Sequence, residues 1–195
     1  MKKTITFLLV GIFLISMVFA AQNQNQAGLG TGKAQEGSFT TVGGEELQIQ
    51  LQDNNQVRLR TRDIEAHTDL DVLQEQIREQ NQERTKLNVM LSNGKNAEIK
   101  VMPDAASETA LQRLRLHVCS EENNCQIELK EVGKGEDMQL AYEIQIERHS
   151  RILGIFQKKM QVRAQVDAEN RELIRVNKPW WAFLATEPEE ETTAE

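Results

Sequence analysis

The chain has 195 residues, with 23 lysines and arginines against 30 aspartates and glutamates, for a net charge of −7. That acidity argues against nucleic acid or anionic lipid as a partner. The ~140 residues expected to be ordered suit one domain or two small ones.

Residues 1–20 open with Met1-Lys2-Lys3, continue as an apolar run and end in small residues, the pattern of a secretory signal peptide. Val18 and Ala20 fit the last positions before cleavage, which is expected after Ala20. The alternative is an uncleaved signal helix anchored through residues 4–21, close to the ~18-residue minimum for a membrane span. No cysteine follows the cleavage point, so a lipoprotein anchor is not expected. Cleavage would remove Lys2 and Lys3 and leave 21 basic against 30 acidic residues, a net charge of −9. The expected location is secreted or extracytoplasmic, with membrane attachment only if the N-terminal segment stays in place.

Residues 21–44 are Gln, Gly, Asn and Thr with little to bury, and read as a flexible linker. A β-meander is expected over 45–102. In its first hairpin, Leu47, Ile49 and Leu51 alternate with glutamines, Val57 and Leu59 with arginines, and Asp53-Asn54-Asn55 supplies the turn. Pairing Leu51 with Val57 and Ile49 with Leu59 keeps the apolar residues on one face. Residues 69–80 carry both helical and strand spacings, and the flanking strands favour a strand. In the next hairpin, Leu87, Val89 and Leu91 are expected opposite Val101, Ile99 and Ala97, with Asn93-Gly94 inside a three-residue turn.

A helix is expected after Pro103, capped by Asp104, with Ala106, Ala110, Leu111, Leu114 and Val118 forming its apolar stripe. Cys119 and Cys125 follow in CSEENNC. In an exported chain the simplest reading is a disulfide. A metal pair lacks neighbouring ligands, and the spacing is not that of a C-x-x-C redox motif. Strands then follow at QIELKEV, at MQLAYEIQIE and at KKMQVRAQVDA, the last two with apolar residues at even positions. Pairing Ile144 with Val162 and Ile146 with Met160 sets Glu143 opposite Arg163, Gln145 opposite Gln161 and Glu147 opposite Lys159. A turn at Glu169-Asn170-Arg171 returns the chain through Ile174 and Val176.

Tyr142-Glu143-Ile144 and Val166-Asp167-Ala168, in a helix-then-strands order over about residues 104–177, resemble the PepSY-type module. Asn170-Arg171 stands where that family usually has Thr-Gly, and the RILGIF connection is longer than its usual one. The region from KVMPDAASETA to KPWWAFL is also similar to a group of exported archaeal proteins, a likeness that brings no activity with it. The PepSY resemblance implies a regulator or inhibitor of a cell-envelope peptidase.

His67, His117 and His149 have no metal-ligand spacing, and no nucleophile-elbow, phosphate-loop or zincin motif occurs. No catalytic residue, metal or cofactor is expected, and an unrecognised hydrolase is the minor alternative. Pro179 ends the last strand before Trp180, Trp181 and Phe183. These aromatics read as a clasp folded over the sheet, with at least one tryptophan buried, as a partner surface, or as a membrane-surface contact, which the acidic tail disfavours by repulsion from anionic lipid. Residues 186–195 form an acidic tail expected to be disordered.

The fold class is therefore α+β: a β-meander over 45–102, then a helix packed on an antiparallel sheet over 103–185. The expected function is a non-enzymatic binding or regulatory protein that meets a protein partner in the cell envelope. A structural or adhesive envelope component is the alternative.

Overall fold

A computed structural model describes residues 31–79, 82–116, 118–120, 123–153 and 155–186. The signal segment, residues 21–30 of the linker, His117 and residues 187–195 of the tail lie outside the described residues. The described chain is β-rich α+β. It runs β1 (Thr31–Lys33), β2 (Gly37–Thr40), β3 (Glu46–Leu51), β4 (Val57–Thr61), β5 (Ile64–Thr68), β6 (Val72–Glu79), β7 (Gln82–Met90) and β8 (Asn96–Glu98). Helix α1 (Pro103–Leu114) leads to β9 (Gln126–Val132), β10 (Gln139–Ile152), β11 (Phe156–Asp167), β12 (Leu173–Asn177) and β13 (Ala185–Thr186). No helix among the described residues is long and apolar enough to cross a membrane.

Two sheets form among the described residues. One has the order β1-β6-β7-β8. The other runs β12-β11-β10-β9-β5-β4-β3-β2, with β13 added beside β10. All pairings within these sheets are antiparallel except β5 with β9, which meet in parallel through His67 and Glu128. The expected division at residue 102 does not separate the sheets. Strands β3–β5 of the meander continue the sheet of β9–β12, while β6–β8 turn away to join β1. Residues of both sheets and of α1 share one core cluster, from Leu47 and Leu87 through Ala110 to Ile144 and Val162. Residues 31–44 are also more ordered than a linker. Lys33 of β1 pairs opposite Leu73, and Phe39 of β2 pairs opposite Leu47 and packs against the core. Their few apolar groups suffice because neighbouring strands supply the backbone partners.

The first hairpin has the expected register, Leu51 opposite Val57 and Ile49 opposite Leu59. Residues 72–79 form a strand. Two other hairpins keep the expected face but slide along it. Val89 lies opposite Ala97, not Ile99. The three-residue turn Ser92-Asn93-Gly94 fixes this, with Gly94 at φ +82°, Gly94 N donating to Leu91 O and Leu91 N donating to Lys95 O. In the long hairpin, Ile144 lies opposite Ala164 and Ile146 opposite Val162. The charge partners are nonetheless the expected ones. Lys159 reaches Glu147 at 2.6 Å and Arg163 reaches Glu143 at 3.9 Å, diagonally across the ladder, because long side chains span two positions. At the last turn, Asp167 Oδ1 accepts from the backbone N of Glu169 and Asn170. A bulge between Gln165 and Val166 then leaves Val176 facing inward and Ile174 exposed.

Helix α1 begins two residues earlier than expected from a cap at Asp104. Pro103 takes its first position, where the missing N–H costs nothing. Met102 is the cap residue, and Asp104 sits inside the first turn. There Oδ2 of Asp104 pairs with Arg62 at 3.3 Å. The helix ends at Leu114 because Arg115 turns left-handed (φ +55°) and Leu116 N donates back to Leu111 O. Ala106, Ala110 and Leu114 are buried, whereas Val118 lies beyond the helix and is exposed. The Cys119–Cys125 disulfide follows, with 5.2 Å between the Cα atoms. It fits an oxidising, extracytoplasmic compartment.

Tyr142 is the largest fully buried side chain, and its hydroxyl donates to Val101 O at 2.9 Å. This joins the first part of β10 to the chain entering α1. Burial, with the nearby charges of Asp104 and Glu45, pushes the phenol far above its ordinary value, so it stays a donor. Tyr142→Phe should cost about 1–3 kcal/mol by orphaning the buried carbonyl. Denaturant melts of the disulfide-intact protein measure this.

Glu143 lies on the outer face of the same strand. Burial raises its pKa, but hydrogen bonds from Gln165 and Lys130 and the charges of Lys130 and Arg163 outweigh this and hold it below the usual glutamate value. A lowered native pKa stabilises the fold above the unfolded value, and this contribution is lost as pH falls through the native value. Thermal melts from neutral pH to about pH 3 should therefore show a shallower acid loss in Glu143→Gln than in the native chain.

Candidate functional site

Strand β9 ends opposite Gln145, but β10 runs on to Ile152. From Ile146 onward the β10–β11 hairpin outruns its neighbour. Its turn lies between Ile152 and Phe156, which pair across it, with Leu153 left-handed at φ +51°. Beyond β12, Pro179 N-terminally flanks the short 3-10 segment Trp180–Leu184. This segment carries the chain from the β11 side of the hairpin, where Asn177 pairs with Arg163, to the β10 side, where Ala185 pairs with Ile152. Leu153 N donates to Leu184 O at 3.0 Å, which ties the aromatic segment to the hairpin turn.

The expected clasp forms only in part. Trp181 is half-buried against the core, and Lys158 Nζ lies 5.2 Å from the centre of its ring, a cation–π contact. Trp180 is 80% exposed and Phe183 77% exposed, so neither tryptophan is fully buried. The hairpin turn adds Ile155 at 75%, Phe156 at 65% and Leu153 at 64%. The fold thus brings three apolar side chains from the hairpin and two aromatics from the C-terminal segment to one end. Sequence reasoning singled out Trp180, Trp181 and Phe183 but missed Leu153, Ile155 and Phe156. The available signal was the apolar RILGIF connection, whose only polar residue is Arg151 at its start.

Toward the turn of this extension, Ser150 Oγ is buried without a hydrogen-bond partner. Glu147 accepts from Lys159 and, at 3.3 Å, from Asn124 of the disulfide loop. The hydrogen bond from Lys159 is the main cause that holds the Glu147 carboxyl below its usual value. The loop is closed further by Asn123, which accepts from Ser120 N and donates to Val118 O.

Polar clefts lie elsewhere. A cleft of about 460 Å³ beside the start of α1 is lined by Glu45, Glu46, Arg60, Arg62 and Asp104. Its charges have both signs, and the Arg62–Asp104 pair spans part of it. A second, of about 380 Å³, opens where β5 and β9 diverge, between His67, Glu128, Glu143 and several glutamines. His67 Nε2 lies 3.8 Å from Glu65. His149 is on the outer face of β10, opposite Lys159. The two histidines sit on different strands of the sheet, and no three His, Cys, Asp or Glu side chains among the described residues come together as a metal site.

No protein-family model, curated protein or solved structure matches this chain.

Proposed function

We propose that this chain is an exported, non-enzymatic binding or regulatory module whose contact surface is the apolar end of the β10–β11 hairpin. The observation that supports this is the convergence of Leu153, Ile155, Phe156, Trp180 and Phe183, each more than half exposed, on that end. Contiguous exposed apolar patches are uncommon on monomers and mark interaction sites. Tryptophan and phenylalanine are the residue types that anchor such contacts. The backbone ties from Leu153 to Leu184 and from Ile152 to Ala185 hold the two contributing segments together before any partner arrives, which lowers the ordering cost of association. Regulation of an envelope peptidase, implied by the PepSY resemblance, is the narrower form of this proposal.

A photoreactive residue introduced at Phe156 should give specific adducts in native envelopes. The same group at Met90, an exposed apolar position on β7, should not. Equal labelling from both positions would sink the contact reading. A recurrent peptidase adduct from Phe156 would support the regulatory form.

A further inference from the structure

We propose that Asn93 is a deamidation site held shut by the docking of its turn, so that this covalent change follows a parting of the two sheets at that point and makes it permanent. The proposal goes beyond the contact reading and does not depend on it. Asn93-Gly94 is the single Asn-Gly pair of the chain. Such a pair is reactive because glycine, without a Cβ, leaves its backbone N free to approach the side-chain carbon of the asparagine before it. Gly94 N bonds to Asn93 Cγ, and the Cγ–Nδ2 bond breaks. Ammonia leaves with the proton from Gly94 N, and a cyclic succinimide remains. Water then opens the ring at either carbonyl and gives aspartate or isoaspartate at position 93. Water is the sole co-reactant, and nothing is oxidised or reduced.

The folded turn engages every reacting group elsewhere. Gly94 N donates to Leu91 O at 2.8 Å. Asn93 Oδ1 accepts from Lys95 N at 2.9 Å, and Asn93 Nδ2 donates to Gly135 O at 3.0 Å. The flanking residues fasten the turn. Ser92 N and Ser92 Oγ donate to the two carboxylate oxygens of Glu131 at 2.7 and 2.6 Å. Lys95 Nζ donates to Glu136 O at 2.7 Å and lies 3.1 Å from its carboxylate. These contacts join the β7–β8 turn of one sheet to the β9–β10 connection of the other. That connection is itself fixed, because Gly133 has φ +93° and a side chain there would collide with the Asp137 carbonyl. The succinimide therefore forms only after the turn lifts off, which is a local opening.

The product does not dock again. A carboxylate at position 93 has no N–H for Gly135 O and sets a negative charge against that carbonyl. The neighbours of position 93 are already held by two further carboxylates, Glu131 and Glu136. Isoaspartate also adds a backbone carbon to the turn whose length sets the β7–β8 register. Ammonia is lost to solvent, so the site records the time the turn has spent open.

The test incubates the disulfide-intact chain, folded and in denaturant, at mildly alkaline pH and follows conversion at Asn93 by peptide mapping with mass spectrometry. The folded chain should convert about 10-fold more slowly than the denatured chain, or slower still, because only the open turn reacts. Glu131→Ala should speed conversion of the folded chain about 10-fold, the shift in opening expected when charge-assisted hydrogen bonds are lost. Lys95→Ala should act in the same direction. Its side chain is exposed, so this variant keeps the test valid if Glu131→Ala disturbs β9. Neither change should matter in denaturant. Gly94→Ala should slow conversion in both states, because its Cβ crowds the attacking nitrogen. Asn93→Asp should speed hydrogen exchange at the Ser92 amide and leave the core of β10 unchanged. Equal rates in the folded and denatured chains would show that the fold does not hold the site shut. Unchanged folded-state rates in both fastening variants would show that docking is not the latch. Unchanged exchange at Ser92 in Asn93→Asp would show that the product still docks, and the proposal would fall.

Discussion

Parity along β10 and β11 governs the rest of the molecule. Leu140, Tyr142, Ile144 and Ile146 face the core from one strand, and Met160, Val162, Ala164 and Val166 from the other, all fully or almost fully buried. The opposite face, from Glu143 to Glu147 and from Lys159 to Gln165, carries the ion pairs and amide contacts. Because side chains alternate with a period of two, a slip by one residue would exchange these faces completely. Helix α1 and residues of the second sheet share the core on the inward face, while β9, β12 and β13 pair along the strand edges. Helix α1 packs on that face, β8 and the chain toward α1 reach it through hydrogen bonds from Lys100 N and Val101 N to Ala168 O, and Tyr142 donates across it to Val101.

That constraint also explains what was legible in the sequence. Faces were legible, because parity is written in alternation: Leu47, Ile49 and Leu59 were assigned to the core and are there. Registers were legible only where the turn chemistry was unambiguous, as at Asp53-Asn54-Asn55. A slide by two residues preserves both the apolar face and the sign of the charges opposite, so Ile144 with Val162 and Ile144 with Ala164 satisfy the same pattern. The turn decides between them, and an apolar turn such as the one at Leu153 gives no such signal. Chain order also hid the sheet order. β5 neighbours β9 across sixty residues of intervening chain only by a single parallel pair, and no local pattern announces a contact of that kind. The ordering of residues 31–44 was missed for the same reason. Their stability comes from the strands that receive them, not from their own composition.

The aromatic segment had three readings in sequence, and the fold divides it between a clasp and an exposed surface. Trp181 faces the sheet and holds Lys158, while Trp180 and Phe183 face solvent. In a tight 3-10 segment neighbouring residues project in different directions, so two adjacent tryptophans cannot both lie against one surface. A segment that only covered the core would gain from a single large residue on its inner side. The outward residues gain nothing from that packing, and their contribution to folding is correspondingly small.

The same reasoning applies to the hairpin beyond Ile146. A strand that serves only the core has no need to continue after its neighbour stops, and β9 stops opposite Gln145. The extension leaves its turn residues in water, buries Ser150 without a partner for its hydroxyl, and relies on β13 for backbone pairing at Arg151 and Ile152. Beyond Ile146 and Met160, which are buried at its root, these are costs to folding with little apolar burial to offset them. The fold nonetheless carries Leu153, Ile155 and Phe156 on this arm and braces it with the C-terminal segment. An exposed apolar apex on a braced arm is understandable as a surface shaped by what it touches, because core packing alone would favour a shorter hairpin with a polar turn.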